Sequence, residues 1–185
     1  ASGNSLYRHK SSMLAQYLSL IRSIPDFPVP GIIFRDITPL LGDATAYRAV
    51  IDDMAAPFRN EKIDRVVAIE ARGYFFGAPL ALELSAGFVP IRKVGKLPHK
   101  TFKTEYDLEY GEASIEVHRD GLLPSHRVLL VDDVLATGGT MAAAASLVKQ
   151  SGATIAGIAV LIELPLLEGR LALREHQVYS HIIFE

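Results

Sequence analysis

The sequence predicts an α/β domain with a mainly parallel sheet flanked by helices. Strand-like and helix-like segments alternate from residue 44 onward. The runs Ile63–Ile69 and Arg127–Val131 are rich in β-branched residues and Leu, the pattern of strands buried on both faces. A chain of 185 residues can bury about 70% of its unfolded surface as one domain, so residues 1–185 are expected to form one.

In chain order, Leu14, Tyr17, Leu18 and Ile21 share one stripe and predict a helix over about 6–23. Pro25, Pro28, Pro30 and Gly31 then force an extended loop, followed by the short apolar run Ile32–Phe34. Asp43 is placed to cap a helix over 44–60. Strand 63–69 leads into helix 73–86 and a short strand at 88–91. Residues 95–111 carry Gly95, Pro98 and Gly111 without helical period and read as a loop, with 114–118 as an edge strand. Strand 127–131 precedes a helix over 141–150, which Gly152 stops. Strand 154–162, helix 166–175 and strand 178–184 close the pattern.

Composition excludes several classes. Lys and Arg number 19 against 21 Asp and Glu, a net charge of −2, which rules out a protein that coats nucleic acid or an anionic membrane by bulk charge. With no cysteine, thiol catalysis, disulfides and Cys-ligated metals are excluded. No apolar run approaches the ~20 residues of a membrane span, and Ala1–Lys10 lacks the apolar centre of a signal peptide. The expected location is cytoplasmic, with neither membrane nor nucleic acid as partner.

The most informative stretch is Val128–Thr140. A buried strand delivers Asp132 and Asp133 to a sheet edge, and the small residues Ala136, Thr137, Gly138, Gly139 and Thr140 then open a helix. Amides at a helix start favour a phosphate, and the two threonines add hydroxyl donors. No Lys closes the loop, so it is not a Walker A motif, nor is it G-x-G-x-x-G. Carboxylates beside a phosphate cradle suit a sugar whose vicinal hydroxyls lie next to its phosphate.

This stretch resembles the signature of the type I phosphoribosyltransferases, which use 5-phosphoribosyl-1-pyrophosphate (PRPP). Four further segments narrow the resemblance to the adenine phosphoribosyltransferases: Pro25–Asp36, Glu70–Tyr74, Ile91–Pro98 and Tyr106–Gly111. The resemblance implies a type I fold with a small hood, formed by about residues 1–36, and a flexible catalytic lid at 95–111. It implies that Asp132 and Asp133 address ribose hydroxyls and that Ala136–Thr140 hold the 5′-phosphate. It places Ile33, Phe34, Arg35 and Leu164 on adenine, and Arg72, Arg92, Lys93, Lys96 and Tyr110 on the pyrophosphate side. It makes Glu109 the catalytic acid–base group, acting on the purine N7. It further implies Mg²⁺ carried with PRPP and without dedicated protein ligands, a homodimer, and a non-proline cis bond at Ala71–Arg72.

Taken alone, Phe34 reads as a packing aromatic and Glu109 as a solvated loop acid. Arg92, Lys93, Lys96, Lys100 and Lys103, with no acid among residues 92–103, read alone as a solvated basic loop. The histidines show no metal-ligand spacing. Two alternatives to an adenine enzyme are a sister enzyme for xanthine, hypoxanthine, guanine or orotate, and a non-catalytic nucleotide sensor on the same fold.

Overall fold

The computed structural model describes residues 17–108 and 111–185. The chain divides into two compact units, Ala1–Asp52 and Asp53–Glu185.

In the first unit, β1 (Arg22–Pro25) pairs antiparallel with β2 (Ile33–Asp36), Arg22 opposite Asp36. The expected helix over 6–23 lies mostly outside the described residues, and its end is strand instead. Pro25 biases the residue before it to extended backbone, which overrides the helical stripe. The connecting turn is held by Asp26 Oδ1, which accepts from the Gly31 amide at 2.8 Å. Phe27 and Phe34 meet edge to face at 5.2 Å. After the short helix α1 (Thr38–Gly42) comes α2 (Ala44–Ala55), whose last turn belongs to the second unit. Asp43 caps α2 as expected, its Oδ1 accepting from the Thr45 and Ala46 amides at 3.0 and 2.9 Å. Near Pro57 the helix tightens into a 3₁₀ turn, Ala56–Phe58, rather than running to 60.

The second unit is a seven-stranded sheet in the order β5-β6-β4-β3-β7-β8-β9. Its parallel part joins β4 (Gly87–Lys93), β3 (Arg65–Ile69), β7 (Arg127–Leu135), β8 (Thr154–Glu163) and β9 (Val178–Ile183). Helices α3 (Gly73–Glu83) and α4 (Gly139–Gln150) follow β3 and β7 and pack on the sheet. Met141, Ala144, Leu147 and Val148 of α4 share one buried cluster with Val67, Leu130 and Val160 of the sheet, while Gly77 of α3 lies close against Ala68 of β3. Chain order reverses between β3 and β7: β4 follows β3 outward on one side, β8 follows β7 on the other. Such a switch point opens a crevice at the strands' carboxyl ends.

Two expectations change here. Much of the expected lid loop is strand: β5 (Thr101–Leu108) pairs antiparallel with β6 (Gly111–His118), and β6 joins β4. Phe102, Thr104 and Tyr106 alternate with exposed Lys103 and Glu105, a period-two pattern, and Phe102 and Tyr106 pack on the core. The sheet's edge is therefore β5 rather than 114–118. Residues 166–175 form 3₁₀ turns, Pro165–Leu167 and Gly169–Leu173, not an α-helix. Between them Glu168 takes φ +53, a left-handed conformation that interrupts helical propagation.

Candidate active site

The crevice holds a cavity of about 240 Å³. One wall comes from β7 and the start of α4: Asp132, Asp133 and Thr140. The loop between them is shaped by close backbone contact. Gly138 has φ +84, and a Cβ there would stand 2.4 Å from the Gly169 carbonyl oxygen. Gly169 itself has no room for a Cβ, which would fall 2.3 Å from the Ala136 oxygen. The loop thus rests directly on the 3₁₀ turn behind it. Arg170 fixes that turn, donating to buried Glu163 through Nε at 2.7 Å and Nη2 at 2.8 Å. No side chain caps α4, so its first amides are left for an anion.

The acid pair is electrostatically tense. Burial and the neighbouring Asp133 charge push the Asp132 carboxyl well above the usual carboxylate range. Asp133, 4% exposed, is also pushed up by burial, against the pull of Arg72. Asp132 Oδ1 accepts from the Asp133 amide at 2.9 Å, which aims the pair.

The facing wall comes from the end of β3 and from β4: Glu70, Arg72 and Lys93. Arg72 Nε stands 2.8 Å from Asp133 Oδ2. The non-proline cis bond is Glu70–Ala71, one peptide earlier than the expected Ala71–Arg72. Arg92 donates to Glu70 through Nε and Nη2, both at 3.2 Å, and the Lys93 amide donates to Glu70 Oε2 at 3.0 Å. These bonds, led by Arg92's, hold the Glu70 carboxyl below its ordinary range. Tyr74 donates to the Ile91 carbonyl at 2.7 Å, and its own ionisation is pushed up to about 12, chiefly by burial. Tyr106 closes the cavity from β5, its Oη accepting from Thr140 Oγ1 at 3.4 Å. Among the described residues no cluster of His, Asp and Glu gathers as a metal cage.

Residues 41–178 match the phosphoribosyl transferase domain model. The chain is 52% identical over 170 residues to the adenine phosphoribosyltransferase of Roseiflexus sp. (strain RS-1), spanning 92% of this chain and 99% of that protein. The chain belongs to the adenine phosphoribosyltransferase family. The crystal structure of such an enzyme from Thermoanaerobacter pseudethanolicus aligns with a TM-score of 0.90 at 49% identity, covering 92% of this chain and 99% of that one. The Saccharomyces cerevisiae enzyme, complexed with an imino-altritol bisphosphate and adenine, aligns with a TM-score of 0.88 at 36% identity, covering 92% and 99%.

Of the residues that the adenine phosphoribosyltransferase resemblance singled out, the cavity gathers Arg72, Lys93, Asp132, Asp133 and Thr140. Ala136, Thr137, Gly138 and Gly139 form the loop beside it, Thr137 exposed. Lys96 and Arg92 do not line the cavity; Arg92 is held by Glu70 and donates to the Lys96 carbonyl at 3.3 Å. Leu164 is tied to the end of β7, its amide donating to the Leu135 carbonyl at 3.0 Å. Ile33, Phe34 and Arg35 lie together on β2 in the first unit, with Ile33 51% exposed. Glu109 and Tyr110 lie outside the described residues. Glu70 and Tyr106, which belong to two of the resembling segments without an expected role of their own, also line the cavity. Their signal is position: Glu70 directly follows β3, two residues before Arg72, and Tyr106 sits on the inward alternation of β5.

Proposed function

We propose that this protein joins adenine to PRPP, giving AMP and pyrophosphate. One observation carries the reading: two carboxylates at the end of β7, one short loop from a phosphate-sized helix start, face Arg72 and Lys93 across a single cavity. The loop amides, Thr137 and Thr140 hold the 5′-phosphate. Asp132 and Asp133 accept from the ribose hydroxyls. Arg72 and Lys93 face the departing pyrophosphate, with Lys96, Arg92 and Tyr110 around it. The bond from C1′ to the pyrophosphate oxygen breaks, leaving positive charge on the ring carbon, and a bond from C1′ to adenine N9 forms. Glu109 manages the purine proton at N7, and Ile33, Phe34, Arg35 and Leu164 receive the base. The adenine bound to the Saccharomyces cerevisiae relative supports this choice of base.

Mg²⁺ belongs to the same proposal. Asp132 and Asp133 face the ribose hydroxyls at the cavity, and the ion would be held by those hydroxyls, phosphate oxygens and water, without dedicated protein ligands. When bound, it adds positive charge to the leaving pyrophosphate. A homodimer in the cytoplasm completes the reading. Phe75 and Leu82, 43% and 83% exposed, lie seven residues apart on one face of α3 and offer an apolar surface to a second copy. No helix among the described residues is long and apolar enough to cross a membrane.

The test is a single assay: purified protein, Mg²⁺, PRPP and each base in turn, following pyrophosphate. Release with adenine alone supports the reading. Release with another base, or with none, replaces it with a sister enzyme or a sensor.

A further inference from the structure

Between β4 and β5 the chain turns through Gly95, which has φ +88. Three successive amides in this turn converge on one oxygen: Gly95, Lys96 and Leu97 donate to Glu116 Oε1 at 2.8, 3.1 and 3.1 Å. The other oxygen, Oε2, accepts from the Thr101 hydroxyl at 3.0 Å and lies 3.9 Å from Lys103 Nζ. Glu116 is 2% exposed and sits on β6, opposite Arg92 of β4 and Lys103 of β5. One buried carboxylate therefore ties the turn to the first residue of β5.

Consecutive amides pointing at one spot form an anion-binding nest. Here the anion is built in. Burial alone would raise the Glu116 carboxyl, yet the three amides and Thr101 together hold it below its ordinary range. The far side of the turn is held as well, because Arg92 donates to the Lys96 carbonyl at 3.3 Å. Burying a charge is expensive, and apolar residues of similar volume often serve stability as well or better. What this carboxylate supplies is position for a turn flanked by Lys93, which lines the cavity, and containing Lys96.

We propose that Glu116 is a positioning residue: it fixes the Gly95–Leu97 turn so that Lys93 and Lys96 present their ammonium groups to the pyrophosphate of PRPP. This rests on the functional reading above. Because Glu116 occupies the turn's amides, the pyrophosphate is gripped there by side chains rather than by backbone.

The experiment compares wild type with Glu116→Gln, titrating Mg²⁺-pyrophosphate and AMP separately by calorimetry and measuring KM for PRPP. AMP carries the ribose 5′-phosphate without a pyrophosphate. The expected result is a roughly tenfold or greater loss of pyrophosphate affinity, a matching rise in KM, and AMP affinity and kcat within about threefold. Hydrogen exchange at Gly95, Lys96 and Leu97 should accelerate. Thr101→Val, which keeps the carboxylate and its amides, should show the same selectivity more weakly, and it decides the matter if Glu116→Gln does not fold. Equal loss of both ligands, no loss of either, or unchanged exchange in the turn overturns the proposal. Wild-type protein that binds neither ligand overturns the functional reading and the proposal together.

Discussion

Arg72 Nε lies 2.8 Å from Asp133 Oδ2, joining the ends of β3 and β7 across the switch point of the sheet. The contact sets the charge of the site. Burial raises the Asp133 carboxyl and Arg72 pulls it back. Removing the guanidinium takes away the largest pull against burial, so Asp133 should hold its proton to higher pH. Arg72→Ala is expected to raise KM for PRPP and to move the acid limb of its pH profile upward. An unmoved limb would separate Arg72 from the acid pair.

In its proposed role, Asp132 should carry a stability penalty in exchange for substrate binding. Its carboxyl is pushed well above the ordinary carboxylate range by burial and by Asp133. Between the unfolded and the raised folded value the native state binds more protons than the unfolded chain, so stability falls as pH rises through that window. Asp132→Asn should remove this slope, melting higher than wild type at neutral pH while binding PRPP and AMP more weakly. Thermal melts over a pH series, paired with calorimetry, check both halves. A lower melting temperature for the variant at neutral pH would refute the penalty.

The Ala136–Thr140 loop, proposed to hold the phosphate, rests on a glycine outside it. A methyl at Gly169 would stand 2.3 Å from the Ala136 oxygen, so Gly169→Ala should push the loop off its seat. Overpacking of this kind costs about 1–3 kcal/mol, and AMP and PRPP affinities should fall together. Retained affinity with a lowered melting temperature would mean that the loop tolerates the shift.

The roles proposed for Glu109 and Thr137 should separate kinetically. Glu109→Ala should lower kcat by about 10²–10⁴-fold with little change in PRPP affinity. Thr137→Val should instead weaken PRPP and AMP binding. Steady-state kinetics and calorimetry on both variants test the division; near-normal kcat in Glu109→Ala removes that residue from the chemistry.

Periodicity and punctuation made most of the parallel sheet legible. Ile63–Ile69 and Arg127–Val131 read as buried strands and became β3 (Arg65–Ile69) and β7 (Arg127–Leu135), and Asp43 announced its helix. Where tertiary packing decided, the sequence misled. Phe102 and Tyr106 are drawn onto the core and make strand of a segment that Gly95, Pro98 and Gly111 marked as loop. The left-handed Glu168 broke an apparent helix. The acids and the small-residue loop of the site were visible because they are contiguous. The Glu116 nest was not, since its partners sit about 20 residues away and only strand pairing brings them together.

The order of the strands also sets when a binding site can exist during folding. The β5–β6 hairpin is local, with Leu108 opposite Gly111, whereas β3 meets β7 by pairing Arg65 with Val128 from far along the chain. Local pairs close early and distant ones late. The hairpin's pairing is therefore set by residues close in the chain, while the acid-bearing end of β7 meets β3 only when strands far apart in sequence pair. Under the proposed function, recovery of AMP binding in a refolding chain should lag behind backbone signals from the hairpin.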